Sequence, residues 1–262
     1  MTSILDQIVV EKKREVADRK ISRPDPLKSV QRSKPRSFAA SLVDKTKMGV
    51  IAEYKKASPS KGVIRTDLDP IEVAGIYQSH GAVAVSVLTD ETFFQGHADF
   101  LTAIHDAVSL PVLRKDFTID SYQIDEAYAI GADAVLLIVS LLTVDELIRF
   151  QAHAGELGLA CLIEAHNLGE LDKALEAGAE IVGINNRDLA DFSVTLQTSL
   201  DLKGQIPQGI ITVSESGIHD KEDVNVLAAA GFDAVLVGES LMRSPDIGAQ
   251  LSLLTGWGGP LQ

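Results

Sequence analysis

Residues 51–62 read Ile51-Ala-Glu-Tyr-Lys-Lys-Ala-Ser-Pro-Ser-Lys-Gly62, an apolar run that passes straight into an acid, two lysines and a turn. Side chains alternate along a strand, so Ile51, Glu53 and Lys55 share one face while Ala52 and Tyr54 take the other. Charged side chains are seldom buried unless paired or functional. An acid beside an ammonium at a strand end is what proton transfer requires. A solvated strand end followed by a basic turn reads the same way, so the surrounding chain has to decide. Outward from this stretch, Asp69-Pro70 opens a helical pattern over 70–79, Gly81 stops it, and a second β-branched run starts at 83.

The same unit recurs along the chain. Strand-like runs cover 49–53, 83–88, 111–115, 134–139, 160–164, 181–184, 210–213 and 234–237. Helical patterns fall near 70–79, 98–108, 120–130, 143–157, 167–177, 196–203, 219–230 and 245–254, with Thr143-x-x-Glu146 and Ser244-Pro245 as start signals. Alternating strands and helices imply parallel pairing with right-handed crossovers, and eight units imply an α/β fold of the (β/α)8 TIM-barrel kind. An open doubly wound sheet is the alternative. Against it, the first strand-to-helix turn lacks Gly-x-Gly-x-x-Gly, and no Walker-type Gly-Lys-Ser/Thr occurs. Units four and eight echo each other in Gly131-Ala-Asp-Ala-Val and Gly231-Phe-Asp-Ala-Val. Residues 1–47 read as an N-terminal helical extension that covers one barrel opening, so that 1–262 forms a single domain. Its first helix has Ile4, Leu5, Ile8 and Val9 on one side, with Ser3 and Asp6 as capping candidates.

With 45% hydrophobic residues and a mean hydropathy of +0.12, the 262-residue chain suits a large core. A net charge of −13 argues against general binding to nucleic acid or anionic membranes. The lone Cys161 fits a reducing, cytoplasmic setting, and its parity, opposite to Glu164, gives it a packing role. No run approaches a transmembrane helix, and the start lacks the pattern of a signal peptide. His80, His97, His105, His153, His166 and His219 show no ligand spacing, so no metal is expected and the histidines are read as surface or supporting residues, with His166 near the rim.

In a barrel the chemistry gathers at the C-terminal strand ends. There the sequence places Glu53 and Lys55, Lys115, Glu164 with His166, Asn185 with Arg187, Glu215 with Ser216-Gly217, and Gly238-Glu239. The opposite ends hold mostly Gly, Ala, Pro and apolar residues. Six of eight strand ends bearing Lys, Glu or Asn on one rim read as a site. The small residues after strands seven and eight suit a phosphate, because backbone N–H groups can approach it closely.

These segments resemble the indole-3-glycerol-phosphate synthase family of tryptophan biosynthesis over essentially the whole chain. The resemblance rests on Ala52-Glu-Tyr-Lys-Lys-Ala-Ser-Pro-Ser-Lys-Gly62, Ser86-Val-Leu-Thr-Asp90, Phe93-Phe94-Gln-Gly96, Leu113-Arg-Lys-Asp-Phe117, Leu162-Ile-Glu-Ala-His166, Gly183-Ile-Asn-Asn-Arg-Asp-Leu189, Ser214-Glu-Ser-Gly-Ile218 and Val237-Gly-Glu-Ser-Leu-Met242. It implies a lyase, with no cofactor, acting on 1-(2-carboxyphenylamino)-1-deoxyribulose 5-phosphate by ring closure, decarboxylation and dehydration. Lys115 is implied as the general acid of ring closure. Glu164, Glu53 and Lys55 are the candidates for the proton transfers of dehydration, their division left open, and Lys55 can also pair with the anthranilate carboxylate. Asn185 and Glu215 are implied as orienting groups, and Arg187 as support for the network or a carboxylate. Ser58, Ser216, Gly217, Gly238 and Glu239 (through its N–H) would meet the phosphate, and Leu88, Phe94, Phe117 and Leu136 would form the aromatic cleft. Loops 56–66 and 89–97 are candidates for closure over substrate. A monomer with no fused isomerase is expected, the chain ending after Trp257-Gly-Gly-Pro-Leu-Gln262. Two departures stand out: Lys56 replaces an arginine of some relatives, and Arg114 faces outward by parity with no functional account. A Schiff-base lyase using Lys115 as nucleophile, and a non-catalytic phosphosugar-binding barrel, are the rival readings.

Overall fold

Eight parallel strands close on themselves, each strand pairing with the next in sequence and the last with the first. They are β1 (Gly49–Tyr54), β2 (Ala84–Leu88), β3 (Val112–Lys115), β4 (Ala134–Ile138), β5 (Ala160–Ala165), β6 (Ile181–Asn185), β7 (Ile211–Glu215) and β8 (Ala234–Val237). This computed structural model describes residues 4–28, 30–43, 47–59, 62–65, 67–188 and 192–258. The barrel reading holds. The ends differ from the expected runs by one or two residues, most at β7, which extends past Val213 through Ser214 and Glu215. Both are polar, so the β-branched run ends before them. In the barrel they are paired: Ser214 lies opposite Ile184 and Val235, and Glu215 opposite Asn185 and Leu236.

Each strand is buried on both faces, as parallel sheets are. Ile51, Leu113, Leu136, Leu162, Ile181, Val213, Ala234 and Leu236 fill the lumen, while Val50, Ala52, Tyr54, Val135 and Ile163 pack outward under the helices. Burial of each large aliphatic side chain contributes about 1.5–3 kcal/mol. Cys161 packs against the outer cluster, and burial pushes its thiol up to about 12.

The surrounding helices follow the expected pattern. Pro70–Ser79 starts behind an Asp69 cap, and Val144–Glu156 carries the full Thr143/Glu146 capping box. One start moves: the last helix, Ile247–Thr255, is capped by Asp246 rather than begun at Ser244-Pro245, because the Asp246 carboxylate accepts from Ala249 N–H at 2.9 Å. Glu91–Phe94 and Glu239–Arg243 are short helices too brief to show periodicity. The echo between units four and eight has a shared purpose. Asp133 accepts the N–H of Val112 at 2.9 Å, and Asp233 accepts that of Thr212 at 2.8 Å, each pinning the start of the preceding strand. Among the described residues no helix is long and apolar enough to cross a membrane.

The extension touches both ends of the barrel rather than the single opening expected. Helix α2 (Phe38–Leu42) puts Phe38 and Leu42 into the lumen cluster beside Gly49, at the N-terminal end. The basic stretch leading to it is anchored: Arg32 pairs with Asp133 at 3.0 Å, and Arg36 donates to the carbonyls of Leu110 and His105. Helix α1 (Ile4–Ser22) adds Ile8 at the other end and buries Ile8, Lys12 and Val16 along one stripe. Ser3, one of its two expected caps, lies outside the described residues.

A lysine on a buried stripe needs partners. Lys12 Nζ lies 2.9 Å from Asp90, at the end of β2, 3.0 Å from Asp116, at the end of β3, and 2.8 Å from Glu15. Asp116 in turn meets Arg114 at 3.2 Å, and Arg114 meets Glu126 at 2.7 Å and Gln123 O at 2.9 Å. Arg114 thus has its account. It faces outward as parity requires, but beneath helix Tyr122–Ala129, as part of a buried ion chain that ties α1 to the rim.

Candidate active site

One cleft at the C-terminal rim gathers the six polar candidates. Glu53, Lys55, Lys115, Glu164, Asn185 and Glu215 all line it, with Arg187, Ser58 and Ser216. Strand register explains the convergence. Lys115 pairs with Leu88, Glu164 with Ile138, and Glu215 with Asn185, so these inward side chains form the uppermost layer of the lumen.

The charges form two clusters. Lys115 Nζ lies 3.2 Å from Glu164 Oε2 and 3.7 Å from Glu215 Oε2. Across the mouth, Lys55 Nζ lies 2.7 Å from Glu53 Oε1, and Ser86 donates to Glu53 Oε2 at 3.4 Å. Burial alone would lower the Lys115 ammonium, but Glu164, Glu215 and Glu53 outweigh it and hold it above an ordinary lysine. Burial would likewise raise Glu164, yet Lys115, His166 and Asn185 keep it well below the usual carboxylate range. Glu215 goes the other way. Burial and the neighbouring Glu164 charge, opposed by Lys115, raise it to about 8. At neutral pH the site therefore holds an ammonium, an ionised carboxylate and a protonated carboxylic acid within a few ångströms. Both Glu215 oxygens are buried: Oε1 packs over Gly183, and Oε2 lies 3.7 Å from Lys115 Nζ.

Two glycines make room for these acids. A Cβ on Gly183 would collide with the Glu215 carboxylate, and one on Gly238 with that of Glu53. Ser216 and Gly217 follow β7 with consecutive positive φ of 65° and 77°, a conformation glycine takes freely but that is strained at Ser216, as at many functional loops.

The apolar wall is built from Leu88, Phe94, Phe117 and Leu136, with Phe94 and Phe117 rings 5.9 Å apart. Sequence reasoning missed several other members: Ile4, Leu5 and Ile8 of α1, and Ile138, Phe192 and Leu236. The α1 stripe was visible as an amphipathic face, but nothing local said which surface it meets. A second, more polar cleft adjoins the first, sharing Glu53, Lys55, Arg187 and Ser216 and adding Gly217, Gly238 and Glu239. Arg187 Nη2 lies 3.7 Å from Glu239 there. Lys56 does not join either; its ammonium sits 4.2 Å over the Phe100 ring. His166 is no surface residue. It is ion-paired with Glu164 and Glu170. Of the two loops read as closure candidates, residues 60, 61 and 66 lie outside the described residues, and the other folds into the Asp90-capped helix Glu91–Phe94.

The model of the indole-3-glycerol phosphate synthase family matches residues 5–254. Relatives of that name are 49% identical in Aromatoleum aromaticum (98% of this chain, 100% of the relative) and 45% identical in Dechloromonas aromatica (97% and 99%). The chain belongs to the indole-3-glycerol phosphate synthase family. Its activity class follows from that kinship: a carboxy-lyase of tryptophan biosynthesis acting on a small phosphosugar substrate. Among solved structures, 3-hexulose-6-phosphate synthase from Salmonella typhimurium matches with a TM-score of 0.64 at 14% identity, covering 79% of this chain and 96% of that one. At that identity the likeness concerns the barrel fold alone. For this family the rim geometry is the arrangement whose residue roles have to be assigned.

Proposed function

We propose that Lys115 is the general acid of ring closure on 1-(2-carboxyphenylamino)-1-deoxyribulose 5-phosphate. The observation that carries this reading is the half-buried Lys115 ammonium held between Glu164 and Glu215 below an apolar wall. The aryl carbon bearing the carboxylate attacks the ribulose ketone, and the ketone oxygen takes the Lys115 proton. Carbon dioxide then leaves with restoration of the aromatic ring. Loss of that hydroxyl as water, assisted by the aniline nitrogen lone pair, with loss of a proton from the former ribulose C1 methylene, forms the C2–C3 double bond of the indole, which keeps its N–H. Glu164 balances Lys115 throughout. The Lys55–Glu53 pair, across the mouth, supplies the acid and base of dehydration, and Lys55 also holds the anthranilate carboxylate. Protonated Glu215 and the Asn185 amide orient the sugar hydroxyls.

The phosphate falls in the polar cleft, at Ser216, Gly217, Gly238 and the N–H of Glu239, with Ser58 closing from the β1 side and Arg187 bracing Glu239. The aryl ring rests on Leu88, Phe94, Phe117 and Leu136. A Schiff-base lyase reading is disfavoured, since such a nucleophile needs a depressed lysine and Lys115 is raised. The chain is read as one domain and a cytoplasmic monomer. The test is indole fluorescence with stoichiometric carbon dioxide release on adding the substrate. Fluorescence without carbon dioxide, or neither, overturns the assignment.

A further inference from the structure

Glu164 has a cation on each side. Lys115 approaches Oε2 from the lumen at 3.2 Å, and His166, two residues further on, brings Nε2 within 3.3 Å of Oε1. The histidine is itself held. Glu170 Oε2 accepts from His166 Nδ1 at 2.9 Å and from its backbone N–H at 2.9 Å. Glu170 is fixed in turn by Asn167, which caps helix Leu168–Glu176 and donates to Glu170 Oε1 at 2.9 Å. Turning the ring would break its bond to Glu170.

His166 Nε2 is buried with no well-aligned acceptor, so its approach to Glu164 is a charge contact rather than a formed hydrogen bond. Burial would lower the imidazolium, but Glu164 and Glu170 together raise it to about 10. It is charged at neutral pH. The other charged groups nearby are Lys115 and Glu215, beyond Glu164, and Asp188, which with His166 and Glu170 lines a separate pocket on the outer side. Helix α1 contributes the apolar Leu5 there.

We propose that His166 is a positioning residue of the ring-forming reaction: clamped by Glu170, it fixes Glu164 so that Oε2 faces Lys115, and it keeps that carboxylate ionised when Lys115 gives up its proton. The need follows from the chemistry. As Lys115 protonates the ketone oxygen, Glu164 loses its main counter-charge and would compete for the same proton. A second, permanent cation on Oε1 removes that competition. The inference rests on the roles given above to Lys115 and Glu164.

The experiment compares kcat and KM across pH for H166F, E170Q and E164Q. In H166F, kcat should fall about tenfold or more with KM nearly unchanged, and the acidic limb of the kcat profile should move up by about one pH unit, since Glu164 has lost a stabilising cation. E170Q leaves the imidazole in place and should shift the same limb less far, which keeps the test open if H166F folds poorly. His166→Lys, which restores a charge, should return part of the limb. Wild-type kcat and limb in both H166F and E170Q, with E164Q inactive, overturns the role of His166 alone. Full activity in E164Q removes the reading of Glu164 and the inference with it.

Discussion

Lys12→Met removes the charge that fastens α1 to the barrel while keeping the bulk of its stem. Lys12 is 0% exposed and lies within 3.0 Å of both Asp90 and Asp116. Stripping one partner from a buried ion pair costs about 3–5 kcal/mol, because the remaining charge is left uncompensated. Asp116 keeps Arg114 at 3.2 Å and the Thr89 hydroxyl at 2.6 Å, so the lower end applies, about 3 kcal/mol. For a domain of this size, about 1 kcal/mol moves the melting temperature by about 2–4 °C. The variant should therefore melt about 6–12 °C lower. Asp90 carries most of the damage. Burial already raises it, against the pull of Lys12, and without Lys12 it rises further. A carboxyl raised in the folded state holds a proton that the unfolded chain has lost, so stability declines as pH rises through that window. The deficit should accordingly be larger at pH 8 than at pH 6, and K12M/D90N should recover part of it. Melts followed by circular dichroism at both pH values, with KM measured alongside, make the assay. KM should rise, since α1 places Ile4, Leu5 and Ile8 in the cleft wall. A melting change under about 2 °C at both pH values would refute the argument for a buried clamp.

Other outcomes follow from the site. The protonated Glu215, at about 8, should give wild-type kcat an alkaline limb near that pH, and E215Q, which keeps a donor, should lose that limb. The same group makes stability fall as pH rises from the ordinary carboxylate range to about 8, so E215Q should melt higher than wild type at pH 9 but not at pH 5. Gly183→Ala drives a methyl into the Glu215 carboxylate, and should lower kcat about tenfold or more with a modest change in melting temperature, read by steady-state kinetics.

The barrel was legible because its eight units share a strand-then-helix rhythm, with a polar rim residue at six strand ends and side-chain caps or a glycine stop at most of the helices. Alternation gave the facing of each side chain, and the lumen bears it out from Ile51 through Leu236. What alternation could not give is what lies opposite. Arg114 was oriented outward correctly but left unexplained, because its partners, Glu126 and Asp116 with Lys12 behind, come from three separate segments. The wall supplied by Ile4, Leu5 and Ile8 was hidden for the same reason. His166 was read as a rim or supporting histidine beside Glu164, without its partner Glu170. Its neighbour Glu164 was visible two residues away, but the clamp by Glu170 depends on a helix cap. The β7 run was drawn two residues short at its C-terminal end because Ser214 and Glu215 are polar, although Glu215 was placed at that strand end.

The central claim is that Lys115 delivers the proton of ring closure, and single-turnover kinetics of Lys115→Ala against Lys55→Ala tests it most directly. With substrate bound in both, Lys115→Ala should show neither carbon dioxide release nor indole fluorescence. Lys55→Ala should release carbon dioxide and accumulate the dehydration precursor before any fluorescence appears. Carbon dioxide release from Lys115→Ala at the wild-type rate would contradict the account.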